Sequence, residues 1–219
     1  MKKRHLVITI VAIVFSVISG IISNDLVIGG SILCTGLLCA YFGSEGKKIT
    51  YIFGLLNYLL MGYVAFKNNL FGMLFFYIFI FSPLQIQGFL AWNKNLDENE
   101  NVKVREFNLK NSITIILSCL LGSFLLGYLL TLIPGQRLAF LDSASNCINL
   151  CGVILMMLRF KESWWIWLVN NVIDLIIWII TAISNGEGAI MMLLVSIGYL
   201  LINVYGIIRW SLNARSRKD

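Results

Sequence analysis

Apolar residues in this chain come in long unbroken stretches, without the alternation of a half-exposed strand. Eight stretches are long enough to cross a hydrocarbon layer about 30 Å thick. They fall at approximately residues 6–23, 26–43, 49–66, 70–92, 112–133, 138–158, 163–183 and 188–210. The strands of an outer-membrane barrel are short and alternate in polarity. The pattern therefore predicts an all-α polytopic membrane protein with eight transmembrane helices.

The seventh stretch departs most from a plain lipid-facing span. From Glu162 to Trp178 it reads ESWWIWLVNNVIDLIIW. On a helix, Trp164, Trp167, Asn171, Asp174 and Trp178 fall within an arc of about 80° and rise roughly 21 Å. A carboxylate and carboxamides are costly against acyl chains and turn toward protein or a water-filled cavity. Aromatic faces interleaved with hydrogen-bonding groups suit a flat, polar small molecule. The competing reading makes the tryptophans interfacial anchors and the amides helix–helix glue. Trp165 lies off the stripe and is assigned to that reading.

Charge changes the picture by giving the spans a direction. The net charge is +6, and 15 of the 17 Lys and Arg residues fall on one side of the eight-span arrangement. Only Lys67 and Arg137 fall on the other. The positive-inside rule then predicts cytoplasmic N- and C-termini in a bacterial cytoplasmic membrane. Basic residues so distributed exclude a nucleic-acid partner. The opening MKKRH followed by an apolar run is similar to a signal peptide and is read as a retained first span. Composition agrees, with 58% hydrophobic and 13% charged residues. A soluble domain carries about twice that charged fraction.

Catalytic and metal chemistry find little support. The five cysteines all lie within spans, form no CxxC and read as packing residues. His5 stands alone in the N-terminal tail, without ligand company. No cofactor is expected, and the chain is read as not an enzyme. The different-class alternative is a non-transporting membrane enzyme or an assembly subunit. The polar stretch 93–111 reads as a solvated linker without a motif.

Two blocks repeat. Gln85, Gly88 and Trp92 recur in type and spacing as Asn203, Gly206 and Trp210, an offset of 118. Lys48 and Asn57 recur as Lys161 and Asn170, an offset of 113. The blocks run in the same direction, which predicts parallel repeats with a substrate site between them. The expected organisation is an N-terminal helix (1–25), a three-helix bundle (26–92), a linker and connecting helix (93–137), a second bundle (138–212) and a tail (213–219). Other lining candidates follow from shared helix faces. These are Asp142, Asn146 and Asn149 in span six, Gln85, Gly88 and Trp92 in span four, and Asn57 and Tyr58 around Gly54 in span three. Pro83 is expected to kink span four.

These residues resemble the PnuC family of bacterial vitamin transporters. Pro83-Leu84-Gln85, Gly88 and Trp92-Asn93-Lys94-Asn95 are similar to its first-half signature. Glu162, Trp164, Trp167, Asn171 and Trp178 are similar to its second-half pattern WxxWxxxNxxxxxxY, with Trp178 where the pattern has Tyr. The resemblance implies two three-helix bundles around a linking helix in a SWEET-like 3+1+3 core, plus one N-terminal helix. It implies import of nicotinamide riboside by facilitated diffusion, with trapping by cytoplasmic phosphorylation. The alternatives within the family are thiamine, riboflavin or deoxynucleosides. The expected substrate-binding residues are Trp164, Trp167, Asn171, Trp178, Gln85, Trp92, Asn57, Asn203, Asn149 and Asp174. Asp174 either balances substrate charge, orients an amide or carries a proton. The lipid bilayer is the other expected partner, and homo-oligomerisation is left open.

Overall fold

The structure is a computed structural model and describes residues 3–98, 100–106, 109–186 and 188–215. Among these are eight helices: α1 (Lys3–Ile22), α2 (Ile28–Ser44), α3 (Thr50–Lys67), α4 (Phe71–Asn93), α5 (Leu109–Thr131), α6 (Ala139–Met157), α7 (Ser163–Ile183) and α8 (Ala189–Arg215). Five of them, α1, α4, α6, α7 and α8, are long and apolar enough to cross a membrane by length and composition. Their outward faces carry exposed apolar side chains such as Phe79, Ile190 and Leu201, which suit lipid.

The breaks between helices are local. Pro134 cannot continue α5, and Asn24, Gly46, Asn69 and Asn185 take the left-handed conformation after helix ends. Arg159 does so too, at φ 71°, where a side chain is less at ease. Near Pro83, where a kink was expected, the structure has a widening of the helix. Helix α4 turns π-helical over Phe76–Phe81, and the Ser82 hydroxyl donates to the Tyr77 carbonyl at 2.7 Å.

Helices α2, α3, α4, α6, α7 and α8 form a closed ring in which each packs on the next, and α8 closes back on α2. Helix α1 lies outside against α2, and α5 lies outside against α6. Among the described residues, one end of the ring carries most of the Lys and Arg residues, and this is the basic end. The other is the far end.

At the far end, buried Asp142 of α6 holds the start of α4. It accepts the Gly72 N–H at 3.0 Å, Gln136 Nε2 at 2.8 Å and Asn146 Nδ2 at 2.7 Å. The Phe71 N–H goes to Gln136 Oε1 at 2.9 Å. The first amides of α4, which have no partner within the helix, are thus satisfied from α6 and the turn that precedes it.

At the basic end the rings do the joining. Trp92 Nε1 of α4 donates to the Met156 carbonyl of α6 at 3.0 Å, and Trp210 Nε1 of α8 donates to the Gly43 carbonyl of α2 at 3.1 Å. Gly88 and Gly206 lie directly under the rings of Tyr51 and Trp164, so closely that a Cβ on either would overlap the ring. Buried Glu45 gathers Arg4 of α1, Arg209 at 3.6 Å and the Tyr205 hydroxyl at 2.5 Å, which ties α1 and α8 to α2.

Two expectations change. The linker is not a plain solvated surface. Its Val102 is 2% exposed among Tyr51, Trp92, Met156, Trp164 and Trp210. The Val102 N–H donates to the Gly46 carbonyl and the Arg105 N–H to the Arg159 carbonyl, both at 2.8 Å. The segment straps the α2–α3 turn to the α6–α7 turn, because the aromatic cluster there needs an apolar cover. His5 is not in a tail. It lies on α1, 5% exposed, with Nδ1 2.8 Å from the Tyr41 hydroxyl.

Candidate functional site

Inside the ring, all six helices contribute to one cavity of about 90 Å³. Its walls are Cys39 and Ala40 of α2, Tyr58 and Met61 of α3, Tyr77 of α4, and Asn149 of α6. Helix α7 adds Trp164, Trp167, Asn170, Asn171 and Asp174, and α8 adds Tyr199 and Asn203. A recess of about 50 Å³ adjoins it, shares Cys39, Tyr58, Trp164 and Trp167, and reaches Gln85 and Tyr51. Along α7 the lining runs roughly 15 Å from Trp164 to Asp174.

Of the ten residues singled out from sequence, Trp164, Trp167, Asn171, Asp174, Asn149 and Asn203 meet in the main cavity. Gln85 faces the recess. Three lie elsewhere. Trp178 is 1% exposed in the apolar core with Ile177, Met73 and Val195, because the stripe on α7 outlasts the cavity toward the far end. Trp92 spends its N–H on Met156, within the aromatic cluster. Asn57 stands behind the wall: its Nδ2 donates to the Ile32 carbonyl at 2.8 Å, and its Oδ1 accepts the hydroxyl of the lining Tyr199 at 3.1 Å.

Sequence reasoning did not place Tyr77, Tyr199 or Asn170 at the site. Asn170 had a usable signal, an amide four residues before a carboxylate on one helix. It entered the sequence reading only as a marker of the repeat. Tyr199 precedes Asn203 by the same interval. Tyr77 carried no signal within its aromatic run.

The chemistry of the lining is acidic, amide-rich and aromatic. Among the described residues Asp174 is its one carboxylate, and no Lys, Arg or His lines it. Trp164 and Trp167 meet edge to face at 5.4 Å between centroids. Tyr58 stacks on Tyr77 at 5.5 Å. Three buried polar atoms at the cavity, Trp164 Nε1, Asn170 Oδ1 and Asn203 Oδ1, have no hydrogen-bond partner among the described residues. Leaving such a group unmatched costs about 1–3 kcal/mol, so one donor and two acceptors await a polar solute or water. Small-molecule sites usually measure at least ~300 Å³. A nucleoside-sized solute is therefore admitted only if the surrounding helices move apart. Among the described residues no group of three His, Cys, Asp or Glu is placed to hold a metal.

A ring of helices in a multi-pass membrane protein, enclosing a polar and aromatic cavity reached from every helix, is the build of a solute transporter. The family model described as nicotinamide mononucleotide transporter matches residues 26–212, so the chain belongs to that family. The nicotinamide riboside transporter PnuC of Neisseria mucosa is 31% identical over 183 residues, which cover 81% of this chain and 69% of that protein. The protein of the same name from Haemophilus influenzae is 29% identical over 180 residues, 81% of this chain and 76% of that one. The crystal structure of the vitamin B3 transporter PnuC matches at a TM-score of 0.86 and 25% identity, over 99% of this chain and 94% of that one. These are transporters, not enzymes.

Proposed function

We propose that the chain imports nicotinamide riboside across a bacterial cytoplasmic membrane, binding it in the cavity between α2–α4 and α6–α8. The observation that carries this is the lining itself: two tryptophans, a carboxylate, several amides and no cationic side chain. A flat pyridinium ring is attracted to Trp faces and to Asp174, and ribose hydroxyls suit the amides. The family description names the mononucleotide, while the relatives are named for the riboside. The cavity favours the riboside, because a phosphate dianion would meet Asp174 with no Arg or Lys among the described lining residues to receive it. The departure of Trp178 from the family's Tyr bears little on substrate choice, since that ring does not line the cavity. Purified protein in liposomes should exchange labelled nicotinamide riboside, and unlabelled riboside should compete better than thiamine, riboflavin, deoxynucleosides or the mononucleotide. Failure to exchange the riboside would end this reading.

The same reading takes all eight helices as spans, both termini as cytoplasmic, and 26–92 with 138–212 as parallel repeats. Several contacts support the repeats. Trp92 bonds Met156 and Trp210 bonds Gly43, and these partners differ by the same offsets, 118 and 113, as the sequence blocks. Gly88 under Tyr51 and Gly206 under Trp164 follow the same two offsets. The strap's acceptors, Gly46 and Arg159, follow the offset of 113. The substrate equilibrates through the carrier, and a cytoplasmic phosphorylating enzyme draws uptake forward.

A further inference from the structure

Asn170 was not expected at the site, and its surroundings give it a definite orientation. Its Nδ2 donates to Asp174 Oδ2 at 2.8 Å. A carboxylate only accepts, so this bond decides which way the carboxamide faces. Asp174 is itself held by the Ser145 hydroxyl of α6, which donates to Oδ1. Ser145 is 3% exposed and does not line the cavity. Asn170 lines the cavity, and with Nδ2 occupied its Oδ1 is buried and without a partner among the described residues. It is an acceptor awaiting a donor.

We propose that Asn170 is a specificity-determining residue that accepts an N–H of a carboxamide carried on a cationic aromatic ring, with Asp174 and Ser145 as positioning residues that aim it. This rests on the reading of the cavity as a nicotinamide riboside site. The negative charge of Asp174 draws the cationic half of such a solute to this part of α7. The carboxamide sits on that same ring, next to the charge. The ribose is left to the amides and hydroxyls of α6 and α8, Asn149, Asn203 and Tyr199. An acceptor held this way rejects a solute that lacks the N–H, because its own oxygen then stays unmatched.

The riboside of 3-acetylpyridine tests this directly. It keeps the ring, the positive charge, the carbonyl and the sugar, and replaces NH2 with CH3. Competition against labelled nicotinamide riboside exchange in liposomes reads the preference for amide over acetyl. The unmodified protein should prefer the amide by roughly tenfold or more. In Asn170→Ala that ratio should fall close to one through loss of amide affinity, with the acetyl compound little changed. Ser145→Ala should narrow the ratio severalfold, Ser145→Thr should restore it, and Trp165→Phe should leave it alone. If Asn170→Ala does not fold, the ratio in the unmodified protein and the Ser145 pair still decide. A ratio near one in the unmodified protein, or an undiminished one in Asn170→Ala, overturns the inference while nicotinamide riboside exchange stands. No exchange of the riboside by the unmodified protein overturns the function reading instead.

Discussion

Gly206→Ala should damage substrate binding from a position that never touches substrate. Gly206 faces the flat of Trp164, and a Cβ there would stand 2.5 Å from ring atom Cδ2 and 2.6 Å from Cζ3. Carbon atoms in contact prefer roughly 3.5–4.0 Å, so the ring must retreat by about 1 Å. It has little room to do so, being 1% exposed with Trp167 and Trp210 against it at 5.4 and 6.0 Å between centroids. Overpacking of this kind costs about 1–3 kcal/mol. Because Trp164 lines the cavity and presents its unmatched N–H there, part of that cost should appear as weaker binding, on the order of tenfold. Gly88→Ala is the partner experiment. Its Cβ would stand 2.5 Å from Tyr51 Cζ, yet Tyr51 reaches only the recess. Thermal melting in detergent should fall for both variants, while riboside affinity should fall chiefly for Gly206→Ala. Gly122→Ala, whose Cβ meets only Cys147 Sγ at 3.5 Å, should change neither. A Gly206→Ala protein that melts and binds like the parent would refute the packing of Trp164 as described.

Asn171→Ala should weaken riboside binding by up to about a hundredfold, whereas Trp165→Phe, at a lipid-facing residue 57% exposed, should not; equal effects would undo the assignment of the α7 face. Val102→Asp would place a charge in the aromatic cluster beneath the strap and should cost at least about 2 kcal/mol. Limited proteolysis should then cut within 93–106 faster than in the parent, and unchanged cutting would argue against the strap. In liposomes, labelled riboside should reach the outside concentration and no more, whatever proton or sodium gradient is imposed, once the membrane potential is clamped. Gradient-driven accumulation that vanishes in Asp174→Asn would make Asp174 a coupling residue rather than a positioning one.

Much of the helix inventory was legible because long apolar stretches have few alternatives to membrane helices. The site was legible where polarity contradicted its surroundings. Asn171, Asp174 and Asn203 stood out because amides and carboxylates are rare among apolar residues, and all three reach the cavity. Trp178 shows the limit of a helical wheel, which gives a direction around the axis but not where along it the cavity ends. Tyr77 and Tyr199 were hidden because aromatic residues serve equally as packing and as lining. The strap was hidden for a different reason. Val102 is one of a few apolar residues in a charged loop, and its burial depends on five helices meeting beneath it.

On the repeat reading, a scaffold with approximate twofold symmetry has to bind a solute with none. The offsets of 113 and 118 keep the kind of residue at Asn170 and Asn57 and at Asn203 and Gln85, while other positions in and behind the lining differ in kind. Trp167 pairs with Gly54, Asn171 with Tyr58, Asp174 with Met61, and Ser145 with Ile32. Where symmetry serves the framework it is kept: the two Trp N–H bonds, the two glycines under rings and the two strap bonds match across the halves. At the charged and tryptophan-bearing positions of the cavity it is abandoned. The second half supplies the carboxylate, its serine anchor and both tryptophans of the lining, while the first supplies Tyr58, Met61 and Tyr77. A ligand with a charged ring at one end and a sugar at the other gains from this in two ways. Only one orientation places the cation near Asp174, and the reversed pose leaves that carboxylate and Asn170 Oδ1 unmatched. Restoring the symmetry at the decisive pair, with Met61→Asp, would offer a second carboxylate across the cavity. The two binding poses would then become closer in energy, and the amide-over-acetyl preference would fall even with Asn170 intact.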